Sequence, residues 1–86
     1  MRKKRKAKFQ YSEKKLRNRI LQGARELEYA NDWGEVLADK VIDRVDQYLA
    51  LHVIVDDDDI KKVVEERLSE LDEDLALLLK HQDKLI

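Results

Sequence analysis

The sequence predicts a mainly α-helical domain, a four-helix bundle with the option of a short N-terminal β-strand or hairpin lid. Three observations carry that expectation. The 86 residues include no Pro and only two Gly, so helix formers dominate and turn formers are scarce. Hydrophobic and charged residues each make up 43% of the chain, the balance that amphipathic helices need. Apolar residues then recur at helical spacing in four successive stretches. A chain of this size supports one modest core, burying roughly 60–65% of the surface its unfolded form exposes. Residues 1–10 read as a basic segment, a flexible arm or degenerate lid, and residues 11–86 as the helical domain.

The first helix is expected over residues 12–30, where Leu16, Ile20, Ala24 and Leu27 follow one another at i, i+4, i+8 and i+11 while Lys14, Asn18 and Arg25 fall opposite. Ser12 suits the N-cap, and Tyr11 and Leu16 are spaced as a hydrophobic staple. "NDWGE" interrupts the pattern; Asp32 and Glu35 have capping-box spacing, which would start a second helix near Trp33 and make that indole a core plug. Leu37, Val41, Val45 and Tyr48 carry this helix to about Leu51. The β-branched stretch 53–55 reads as an extended connection, with a short strand as the alternative.

Four consecutive aspartates, 56–59, precede Ile60, Val63, Val64, Leu68 and Leu71, the stripe of a third helix. The first carboxylate can cap free backbone N–H groups while the others meet the positive end of the helix dipole, together about 1–2 kcal/mol. Val55 and Ile60 would staple this start. In the last helix Asp72 and Asp74 are acidic residues of the first turn, and Leu75, Leu78, Leu79, Gln82 and Ile86 share one face, with Leu77, His81 and Lys84 on the other.

Charge is segregated along the chain. Residues 1–25 hold 11 Lys/Arg against Glu13 alone, and residues 26–86 hold 7 against 18 Asp/Glu, so a formal net charge of −1 conceals opposite halves. The two could attract each other within the fold or between copies. No apolar run approaches the length of a membrane span, and none follows the basic start as a signal peptide requires, so a cytoplasmic protein without membrane contact is expected.

Chemistry is sparse. The chain has no Cys and two His, His52 and His81, which leaves a zinc site without its usual ligands. "VDDDDIKKVV" lacks the Gly and alternating donors of a calcium loop. Ser12 and Ser69 sit at helical positions with no base at hand, so no catalytic set assembles and the chain is read as noncatalytic. The dense cluster Arg2, Lys3, Lys4, Arg5, Lys6 and Lys8 could instead bind nucleic acid through phosphate neutralisation, with Phe9 or Tyr11 stacking on a base.

In order, "YSEKKLRNRI", "LADKVIDRVDQYL" and "DDDDIKKVVEERL" resemble the ATP-cone domain, a regulatory cap of ribonucleotide reductases. The resemblance covers residues from about 11 to 79. It implies a four-helix bundle under a short β-lid, with ATP or dATP, and Mg²⁺ accompanying it, held between them. Carried over position by position, it makes Tyr11 the aromatic at the start of helix one, Ser12 the Asp/Asn position, Lys15 the phosphate-facing lysine and Leu16 the apolar contact to the base. Asp57 and Lys61 fall in the segment that closes over the adenine. Lys3 and Lys4 take the place of the lid's basic pair, while Arg5 and Lys6 stand where the family has Asp and Gly, which marks the lid as degenerate or truncated. The function so implied is a noncatalytic regulatory module that binds an adenine nucleotide and relays it through helix contacts to a partner protein or a second copy. The alternative is a small helical nucleic-acid-binding or protein-adaptor module that uses the basic arm.

Overall fold

The computed structural model describes residues 11–82 and Leu85. Within them four helices follow in order: α1 (Glu13–Glu26), α2 (Asn31–Leu51), α3 (Asp57–Leu71) and α4 (Glu73–His81). Each packs on its neighbour in the chain, and α1 also packs on α4, which closes the ring of a bundle. There is no strand among the described residues; the lid expected over residues 1–10 lies outside them.

Local chemistry explains the helix starts. Ser12 caps α1, its Oγ accepting the Lys15 N–H at 3.4 Å, and Tyr11 on one side and Leu16 on the other pack into the core as the staple requires. Asp56 caps α3 through a reciprocal pair: its Oδ1 accepts the Asp59 N–H at 2.9 Å, and Asp59 Oδ2 accepts the Asp56 N–H at 3.2 Å. Asp72 ends α3 and begins α4, its Oδ1 accepting the Leu75 N–H at 3.0 Å.

The start of α2 corrects the sequence reading. Ala30 is the N-cap, with no side-chain hydrogen bond, and the Asp32–Glu35 box does not form. The cause lies one turn earlier. Helix α1 stops at Glu26, short of residue 30, in a Schellman motif: the Glu28 N–H donates to Arg25 O and the Tyr29 N–H to Ala24 O, both at 2.9 Å, with Glu28 in the left-handed region at φ 63°. That turn fixes where the chain exits, and α2 is under way by Asn31. Trp33 is 41% exposed and no core plug.

One continuous core unites the helices. Leu16 and Ile20 meet Leu37, Val41 and Val45 of α2, Ile60, Val64 and Leu68 of α3, and Leu75 and Leu79 of α4, all fully buried. Among the described residues no polar or charged residue is buried with them. At Gly23 α1 comes close to α4, since a Cβ there would lie 2.8 Å from Leu75 Cδ1 and 3.1 Å from Leu79 Cδ2. Gly34 plays the same part between α2 and α1, 3.2 Å from Ala24 Cβ and 3.3 Å from Leu21 Cδ2. The short connections make α1, α2 and α3 successively antiparallel, which brings the starts of α1 and α3 and the end of α2 to one end of the bundle.

Candidate functional site

That shared end holds the residues the sequence singled out. Tyr11, Ser12, Lys15 and Leu16 lie on or beside the first turn of α1, and Asp57 and Lys61 on the first turn and a half of α3. Lys15 and Lys14 are exposed, at the end of α1 where the helix dipole is positive and Glu13 is the acidic residue of the first turn. Tyr11 is half-buried. Burial raises its hydroxyl to a pKa of about 12, with the negative charges of Asp46 and Glu13 adding to the shift. Asp57 and Lys61 are half-buried.

Leu16 stands apart. It is fully buried in the core, so the role of apolar contact to a base cannot be met from its position. Lys3 and Lys4, like Arg2, Arg5, Lys6 and Lys8, lie outside the described residues.

Two features escaped the sequence reading. The last residue of α2, Leu51, and Val53 and Ile54 in the connection to α3 are 77%, 101% and 90% exposed, a run of aliphatic surface at the same end of the bundle. Its signal was visible as "LHVIV", but apolar residues in a short run read equally well as core. On the flank, a cleft of about 170 Å³ is lined by Lys40, Asp43, Arg44 and Gln47 of α2 and by Arg67 of α3. The α2 members repeat at i, i+3, i+4 and i+7, which the sequence does show; the arrival of Arg67 opposite them depends on tertiary packing.

The histidines are exposed. His52 stacks on Tyr48, ring centres 4.0 Å apart, and its Nδ1 lies 2.9 Å from Tyr48 O, so with a proton there it caps the last turn of α2. His81 ends α4. No group of three or more His, Asp or Glu is placed to hold a metal ion, and no helix is long and apolar enough to cross a membrane, among the described residues.

Across protein-family models, curated proteins and solved structures, no match to the chain is found.

Proposed function

We propose that the chain is a noncatalytic regulatory module that binds an adenine nucleotide, ATP or dATP, at the end of the bundle where α1 begins. The supporting observation is Lys15, exposed on a Ser12-capped first turn with Lys14 beside it, where backbone N–H groups and the dipole favour phosphate. Tyr11 offers ring surface for the base in place of buried Leu16, and Lys61 lies at the same end on α3. Mg²⁺ would arrive with the triphosphate. Because α1 packs on both α2 and α4, a ligand that tightens its first turn acts on two further helices, the route to a partner protein or a second copy. The test is a titration of the full chain with ATP and dATP, followed by amide shifts. Saturable shifts around Lys15 and Lys61, lost in Lys15→Gln, are expected; silence at millimolar nucleotide sinks the reading.

A second reading, a protein-adaptor or nucleic-acid-binding module, draws support from the aliphatic surface of Leu51, Val53 and Ile54. In its nucleic-acid form the basic segment does the binding, and a salt series with DNA and RNA tests it. Affinity should fall steeply with ionic strength and vanish when residues 1–8 are removed.

A further inference from the structure

We propose that the cleft between α2 and α3 is an anion site that takes a phosphate group, separate from the start of α1 and independent of the nucleotide reading. Lys40, Arg44 and Arg67 converge on it with Asp43 as the sole carboxylate of its lining. This happens in the acidic part of the chain, residues 26–86, where only 7 Lys/Arg face 18 Asp/Glu. Three of those seven cations therefore share one cleft, against the prevailing charge of the surface around it.

The donors are available. Among the described residues the side chains of Lys40 and Arg44 make no hydrogen bond or ion pair, even with Asp43 beside them in the lining. Arg67 is held differently. Its Nη1 donates to Glu70 Oε1 at 3.1 Å, which orients the guanidinium; its Nε is shielded from solvent, so the exposed terminal nitrogens are the ones a ligand would meet. An oriented and partly satisfied guanidinium opposite a second, free one suits an oxyanion that accepts from several directions. Gln47 adds a neutral amide donor at the far end of the α2 stripe.

Size and surroundings narrow the ligand. The volume equals that of about six water molecules, room for a phosphate and a short organic remainder. A long polyanion needs a continuous basic track; here Asp43 lines the cleft and Glu70 holds Arg67 at its side, so a compact dianion fits and a nucleic-acid backbone does not.

The experiment titrates the full chain with inorganic phosphate at constant ionic strength, with chloride as the matched control, following backbone amides of residues 40–47 and the Arg67 Nε–H signal. Saturable shifts of these groups are expected, with a dissociation constant fitted separately from that of any shifts at residues 12–15. Arg44→Gln and Arg67→Gln should each weaken binding about tenfold, the loss of a charge-assisted hydrogen bond, and Lys15→Gln should leave it unchanged. Arg44 is exposed and makes no structural bond, so its variant reports on binding even if Arg67→Gln loosens α3. A parallel arm with glycerol phosphate separates the sources: tighter binding than inorganic phosphate assigns the cleft to a phosphomonoester, equal binding to free phosphate. Shifts matched by chloride, the absence of saturable shifts over residues 40–47, or an Arg44→Gln variant that binds as the parent does would each overturn the proposal.

Discussion

The Tyr29 hydroxyl donates to Asp72 Oδ1 at 3.0 Å across 43 residues of chain, and the same oxygen accepts the Leu75 N–H at 3.0 Å. One carboxylate thus caps α4 and ties the α3–α4 junction to the turn after α1. The bond is half-buried, so it counts for more than a surface contact. Asp72→Ala should cost about 2 kcal/mol, a lost cap plus a lost hydrogen bond, and Tyr29→Phe about 1. Urea unfolding of the two single variants and the double variant gives the coupling; a double variant equal to the sum of the singles would show that the bond contributes nothing.

High pH probes the same contact. The Tyr29 hydroxyl is raised to about 12, first by its hydrogen bond to Asp72, then by burial and by the charges of Asp72 and Asp74, and Tyr11 is raised to about 12 chiefly by burial. Both start from an ordinary value of 10.0. A folded-state value above the unfolded one means that the folded protein holds its protons longer, so this stabilisation is whole below pH about 10 and is lost as pH climbs towards 12. The urea midpoint should therefore fall across that window. In Tyr29→Phe the fall should be shallower; an equal slope would remove Tyr29 from the explanation.

Glu28 sits at φ 63° in the position where Schellman motifs favour glycine. Its Cβ is strained there, and the strain exceeds the entropy that glycine adds to the unfolded chain. Glu28→Gly should stabilise the protein by about 1 kcal/mol, a rise in Tm of about 4–8 °C for a domain of this size. Glu28→Ala keeps the strain, and a Tm as high as that of the glycine variant would refute the account.

The two glycines should respond unequally to a methyl group. At Gly23 the new Cβ would meet Leu75 and Leu79, both fully buried and without room to retreat, so Gly23→Ala should lose about 1–2 kcal/mol even after the gain in helix propensity. At Gly34 the overlaps are milder, 3.2 and 3.3 Å, and propensity offsets them. Gly34→Ala should lie within about 0.5 kcal/mol of the parent by thermal unfolding.

Much of this fold is legible in the sequence because its determinants are local. Ser12, Asp56 and Asp72 each announce a helix by supplying an acceptor within three residues of the N–H that needs it. The start of α2 is not legible in this way, since its boundary is set by how α1 ends, and the Schellman turn at Glu28 bears no glycine to advertise it. Trp33 falls four residues before Leu37, on the apolar stripe of a helical wheel, yet it is exposed, and the residue of that turn set against Ala24 and Leu21 is Gly34. The candidate site divides along the same line. Lys15 follows from its place after Ser12, whereas Leu16 is removed from the surface by packing, and the cleft exists only because α3 carries Arg67 to the polar stripe of α2.

The run 56–59 separates capping from mere charge. Asp56 and Asp59 exchange two hydrogen bonds and close the backbone of the first turn, while Asp58 is exposed and contributes only its charge near the positive end of the dipole. Asp56→Ala should cost about 1–2 kcal/mol and Asp58→Asn less than about 0.5. Added salt distinguishes the two effects: the Asp58 effect should shrink as screening sets in, and the Asp56 effect should persist because its bonds are short and directed. Equal losses at both positions in high salt would mean that the aspartates act through their charge alone and that the reciprocal cap adds nothing to α3.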